Sequence, residues 1–235
     1  MSYGFSEQSD IRAENAQSSG LSSSFVVRRH GRVPLQLTLN LPGRHNILNS
    51  LAAVAVATEL GVPDEAIQQA FSKFSGIDRR FQLLGTVTTL NGIATFVDDY
   101  AHHPTEIAAV IETVRLRAPV RVWVIFQPHR YSRTISLLER FGSALAMADA
   151  VILTEVYAAS ESPISGATAS AVAEAIRRVS ATPVRVVTSL SEIPGIVAAE
   201  ARPGDVVVTL GAGSIGTVPQ RIVDALRFRF EGNNE

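Results

Sequence analysis

The sequence predicts an α/β protein whose larger part is a doubly wound, mostly parallel sheet. Two observations carry this. From Gln82 onward, short apolar runs alternate with helical stretches of about 10 to 15 residues, the pattern of repeated βαβ units. Polar residues gather just after two of those runs, at Asp98-Asp99-Tyr100-Ala101-His102-His103-Pro104-Thr105-Glu106 and Phe126-Gln127-Pro128-His129-Arg130-Tyr131-Ser132-Arg133-Thr134. Open α/β sheets bind ligands beyond the carboxyl ends of their strands, so these clusters, with three of the chain's five histidines, mark a candidate site.

The stretch through Ser24 is polar and serine-rich and reads as loop or weak edge structure. Leu35, Leu37, Leu39 and Leu41 then alternate with Gln36, Thr38 and Asn40, the period of a half-buried strand, ended by Pro42-Gly43. Residues 46–59 form a buried helix that stops at Gly61 and Pro63. A second helix follows, capped by Asp64, with Ile67, Ala70, Phe71 and Phe74 at helical spacing. One strand and two helices cannot enclose a core, so this segment reads as the tail of a domain. Strands are expected at 94–97, 120–126, 150–154, 184–187 and 205–210, and helices at 105–117, 136–147, 169–179, 193–201 and 219–228. They complete a second domain from about Phe81 onward, giving domains 1–80 and 81–235.

Composition narrows the function. With 46% hydrophobic and 18% charged residues and a net charge of −1, the chain is globular and exerts no long-range pull on nucleic acid or a membrane surface. There is no cysteine, hence no disulfide, thiolate metal site or cysteine nucleophile. No secretion signal or membrane-length apolar run is present, so a cytoplasmic location is expected. Lys73 is the only lysine and stands in no GxxxxGK[ST] phosphate loop.

Three constellations carry chemistry. Asp98 and Asp99, adjacent on a strand end, point to opposite faces, so one of them faces the crevice and an acid-base dyad is disfavoured. With His102 and His103 they offer few carboxylates for a metal, and capping of a helix at Pro104 is an equal reading. Arg130 and Arg133, three apart, form a clamp for a small anion, since a guanidinium fork matches a carboxylate or phosphate. Asn46 and Asn49 at a helix start can pair with adenine's donor and acceptor edge, although Asn46 serves equally as an N-cap. A fourth motif, Gly211-Ala212-Gly213-Ser214-Ile215-Gly216, has the local setting of a dinucleotide fingerprint. It lacks the following strand with an acidic residue, which leaves a nicotinamide-dependent oxidoreductase as a minor alternative.

Pro42-Gly43-Arg44-His45-Asn46-x-x-Asn49, Gly76-Ile77-Asp78-Arg79-Arg80-Phe81, the two strand-end clusters, Glu155-Val156-Tyr157-Ala158-Ala159 and the glycine turn together resemble the Mur ligases over essentially the whole chain. The Arg-Tyr-x-Arg run points to the members that add L-alanine. The resemblance implies a Rossmann-like amino-acid-binding domain preceded by the truncated end of a central ATP-binding domain. It also implies an ATP- and magnesium-dependent, ADP-forming ligase of peptidoglycan precursor synthesis that joins L-alanine to UDP-N-acetylmuramate through an acyl phosphate. It puts Asn46 and Asn49 on adenine, His45 near the phosphates or metal, Arg80 near the phosphates and Asp99 on the ribose. Tyr100 and His102 fall beside the alanine, Arg130 and Arg133 on its carboxylate, and Ser214 also facing the amino acid. The family's UDP-binding domain, phosphate loop and main magnesium ligands have no counterpart in these residues, so the partners include those missing N-terminal domains. The polypeptide alone is expected to be inactive. A non-catalytic amino-acid or nucleotide binding module is the principal alternative.

Overall fold

A computed structural model of the chain describes residues 1–89, 92–117 and 119–231. It divides into two compact units, Met1–Ile77 and Asp78–Glu235.

Unit 1 is a four-stranded sheet, β1 (Tyr3–Gly4), β2 (Ile11–Ser19), β3 (Ser22–Arg29) and β4 (Leu35–Leu39), in that order, with helices α1 (Arg44–Glu59) and α2 (Asp64–Lys73). Strand β1 is parallel to β2 and the other pairs are antiparallel. In β4, buried and exposed residues alternate as the leucine period requires. The serine-rich start is not loop but the hairpin β2–β3. Its buried positions include Ile11, Ala13, Ser23, Phe25 and Val27, while its outer half is polar and exposed; ladder hydrogen bonds need no apolar side chain, so composition concealed it. A register shift between Glu14 and Gln17 further blurs the period. With these strands the segment encloses its own core, built on Phe25, Val27, Leu37, Leu51, Val54 and Ile67, contrary to the expectation from one strand. Asp64 is not a cap either. Pro63 holds that position, and the Asp64 carboxylate receives both Arg29 guanidinium nitrogens at 2.7 and 2.6 Å, which holds it below the usual carboxylate range.

Unit 2 is an α/β fold on a six-stranded sheet. Its strands are β5 (Gln82–Thr89), β6 (Gly92–Asp99), β7 (Arg121–Phe126), β8 (Ala150–Thr154), β9 (Val184–Val187) and β10 (Asp205–Leu210), ordered β5-β6-β10-β7-β8-β9. Only β5 runs antiparallel. Strand β5 went unrecognised in the sequence because a bulge between Leu83 and Gly85, the latter at φ 103°, breaks its alternation. Helices α3 (Pro104–Arg115), α5 (Leu138–Leu145) and α6 (Ala169–Val179) cover one face through Ile107, Ile111, Phe141, Leu145, Val172 and Ile176. Helices α7 (Ile193–Glu200) and α8 (Val218–Glu231) cover the other through Ile193, Val197, Val218 and Ile222. Every residue of β10 is buried, which explains its near-continuous apolar run.

The helix expected at 136–147 is α5, and a separate short helix, α4 (Tyr131–Ser136), precedes it across Leu137. No helix among the described residues is long and apolar enough to cross a membrane. Where α5 meets α6, Gly142 lies so close that an added Cβ would stand 2.7 Å from the Ala175 backbone. Gly142→Ala is therefore expected to lower stability by about 1–3 kcal/mol through overpacking. Urea denaturation checks this, and an unchanged midpoint would contradict the close packing.

Candidate functional site

In unit 2 the parallel register sets Asp99 of β6, Leu210 of β10, Phe126 of β7 and Leu153 of β8 level with one another, so the residues beyond them share one end of the sheet. Both strand-end carboxylates are buried there, each 3% exposed. Asp98 accepts from Arg79 Nε at 2.8 Å and from the Thr209 hydroxyl at 2.6 Å. Arg79 also donates to the Gly211 carbonyl at 2.6 Å. Asp99 accepts one backbone N–H on each oxygen, Phe81 at 2.7 Å and Ala101 at 2.8 Å. Burial nevertheless pushes its pKa up to about 6 against the pull of these N–H groups.

Beyond β6, His103 caps α3 and Pro104 opens it, so the capping reading of this cluster holds. Glu106 closes the capping box, its Oε2 accepting the N–H of His102 at 3.0 Å and of His103 at 3.2 Å. A chain of rings lies above. Tyr100 meets His102 edge-on with centroids 5.3 Å apart, His102 lies 5.7 Å from His129, and His129 stacks on Tyr157 at 5.5 Å. Exposed Arg80 and half-buried Arg79 reach over the Tyr100 ring at 5.5 and 5.4 Å.

Beyond β7, the two arginines expected to form an anion clamp differ in burial. Arg130, at φ 70°, is exposed and 3.8 Å from Glu161. Arg133, on α4, is half-buried, and its Nη1 is buried with no hydrogen-bond partner. The Nδ1 of His129 is likewise buried and unpartnered. Burial and the neighbouring His102, Arg133 and Arg130 lower the His129 pKa, so the ring stays neutral at physiological pH. Gln127, buried, ties this strand end to the glycine turn: its Oε1 accepts the Ile215 N–H at 3.0 Å and its amide donates to Ser214 Oγ at 3.2 Å. The turn's glycines are demanded by packing. A Cβ on Gly211 would lie 2.9 Å from the Gln127 carbonyl oxygen, and one on Gly213 2.6 Å from Tyr157 Cγ.

In unit 1 the residue before α1 is Gly43, not Asn46. Asn46 is buried, and its amide nitrogen donates to the Pro42 carbonyl at 2.8 Å. Its side-chain oxygen and second N–H remain available. Asn49 is exposed and His45 half-buried on the same first turns. Among the described residues no three His, Asp or Glu side chains cluster as metal ligands.

Residues 79–213 match the family described as Mur ligase, glutamate ligase domain, and residues 1–57 match the Mur ligase middle domain. The chain belongs to the Mur ligase family. Among similar proteins, the UDP-N-acetylmuramate–L-alanine ligase of Burkholderia mallei (strain SAVP1) is 48% identical over 222 residues, covering 94% of this chain and 48% of the relative. The crystal structure of the UDP-N-acetylmuramate-alanine ligase of Thermotoga maritima superposes with a TM-score of 0.77 at 27% identity, over 97% of this chain and 48% of that one. A murein peptide ligase from Psychrobacter arcticus gives 0.67 at 26%, over 96% and 46%. The chain thus spans about half the length of the curated relatives it matches.

Sequence reasoning about this Mur ligase gave no individual role to Arg79, Glu106, Gln127, His129 or Tyr157. His129, Gln127 and Glu106 stood within the two polar clusters; burial singles out Gln127 and the unpartnered Nδ1 of His129, and the capping box singles out Glu106. The Gly211 turn needs no dinucleotide to explain its glycines, and the family match removes the nicotinamide alternative.

Proposed function

We propose that this chain is the portion of an ATP-dependent, ADP-forming ligase that receives L-alanine for joining to UDP-N-acetylmuramate in peptidoglycan precursor synthesis. The observation that carries the reading is Arg133 Nη1, a buried charged donor without a partner beside neutral His129. Such a donor is costly unless an anion completes it. The alanine carboxylate, held by Arg133 with Arg130 at the rim, fits that need; Tyr100 and His102 lie on the amine side and Ser214 across the glycine turn. Binding energy spent on the carboxylate fixes the amine for attack.

In unit 1, Asn46 retains one donor and one acceptor for adenine, with Asn49 and His45 on the same turns. In unit 2, Arg80 serves the nucleotide phosphates, and Asp99 keeps a second lone pair on each oxygen for ribose hydroxyls. ATP supplies the phosphoryl group that activates the acid as an acyl phosphate. Magnesium would neutralise charge on the phosphates when bound; among the described residues no three His, Asp or Glu side chains cluster to hold it. Lys73 is the only lysine and belongs to no phosphate loop, so no residue here is assigned that role.

The test is titration of the chain with L-alanine followed by NMR. Arg133→Ala is expected to weaken binding about 10- to 30-fold, the worth of a charge-assisted pair of about 1.5–2 kcal/mol. Equal affinity in the variant would overturn the clamp.

A further inference from the structure

His102 and His129 lie side by side in opposite surroundings. The Nδ1 of His102 stands 3.0 Å from the Tyr100 carbonyl oxygen, which has no hydrogen to give. Nδ1 therefore carries the proton, and Nε2 carries the lone pair. Glu106 secures this arrangement twice. It accepts the backbone N–H groups of His102 and His103, fixing the chain that carries the ring, and the same oxygen lies 3.7 Å from Nδ1. A positive charge on His102 would thus be compensated. At His129, by contrast, His102, Arg133 and Arg130 oppose a positive charge, and Glu161 favours one more weakly.

We propose that Glu106 is a positioning residue that holds His102 as its Nδ1–H tautomer, and that His102 Nε2 takes a proton from the ammonium group of the bound amino acid. The base role rests on the amino-acid reading above; the tautomer does not. An ammonium has no lone pair, so one proton must leave before nitrogen can attack the acyl phosphate. With that proton on Nε2, the C–N bond forms and the C–O bond to phosphate breaks, its electron pair leaving on phosphate. The surplus proton on the new amide nitrogen passes to the departing phosphate or to water. A helix start alone would need Glu106 only as a cap. It would have no need of a ring nitrogen 3.7 Å from the same carboxylate oxygen.

The test is nitrogen-15 NMR of the imidazole groups in the full 235-residue chain at neutral pH. His102 is expected as a single Nδ1–H species in the wild type and in Glu106→Gln, which keeps the capping box. Glu106→Ala is expected to give mixed tautomers, and L-alanine to shift the Nε2 signal of His102 while sparing Nδ1. A wild-type Nε2–H or mixed ring, or an unchanged ring in Glu106→Ala, would overturn the positioning role. If L-alanine moves the Arg133 and His129 signals but leaves His102 Nε2 unmoved, the base role alone is overturned. If it moves none of them, the amino-acid reading is overturned and the base role with it.

Discussion

Asp98→Ala is expected to lower the stability of unit 2 by about 3–5 kcal/mol, the cost of leaving a partly buried arginine without its counter-charge. Arg79 is the reason the loss is large. Its side chain is 23% exposed, it bonds Asp98 and the Gly211 carbonyl together, and its backbone carbonyl accepts the Tyr100 N–H at 2.6 Å. It also sits at φ 60°, with Phe81 at φ 49°, conformations that persist only while surrounding bonds hold them. Removing the carboxylate also takes the 2.6 Å acceptor from the Thr209 hydroxyl, leaving it the Val97 carbonyl at 3.4 Å. Trp123, the chain's single tryptophan, lies in β7 and reports on unit 2 alone, so its fluorescence in a guanidinium series measures the effect. Asp98→Asn, which keeps an acceptor for Thr209, should lose roughly half as much. A loss below about 1 kcal/mol in Asp98→Ala would mean that Arg79 finds another partner and that the turn does not depend on the pair.

The second large effect is a pH dependence written by Asp99. Its pKa in the folded protein is about 6 against an ordinary value of 3.8, burial being the cause. The native state therefore holds a proton through this window that the unfolded state has released. Stability falls as pH rises from about 4 to about 6, by on the order of 2–3 kcal/mol for this group. Other carboxylates work in the opposite sense: Asp64 and Asp149 are lowered, so their contribution is lost as pH falls. The difference between wild type and Asp99→Asn isolates the effect. The unfolding free energies of the two proteins should diverge steadily in the variant's favour as pH rises through the window. Parallel curves would show that Asp99 is ionised in the native state throughout.

Local patterns were legible where one face of an element meets the core. The alternation of Leu35, Leu37 and Leu39, the helical spacing on either side of Gly61 and the apolar run of β10 all follow from the sequence read by period. The hairpin β2–β3 and strand β5 were not, because serine-rich and bulged strands keep their ladder hydrogen bonds while losing the apolar period. The same limit governs the candidate site. Its two clusters stood out as polar runs at strand ends, but the partner that anchors the first, Arg79, bonds a carbonyl 132 residues away. Pairing at that distance is a property of the sheet order, which no local pattern encodes. The inequality of Arg130 and Arg133 was hidden for a related reason: three-residue spacing puts both on one turn, and only packing decides which head is covered.

The strand order carries a consequence for synthesis. Strand β10, the last of unit 2 to be made, belongs at the centre of the sheet between β6 and β7. Until it arrives those two strands have no bond to each other, and their facing edges stand open to any passing strand. A nascent chain that has passed β9 therefore holds two separate fragments, the hairpin β5–β6 and the triplet β7-β8-β9, each waiting on residues 205–210. Closure is long-range and correspondingly slow. The ribosome must release nearly the whole unit before the Asp98 and Arg133 ends of the sheet can be joined.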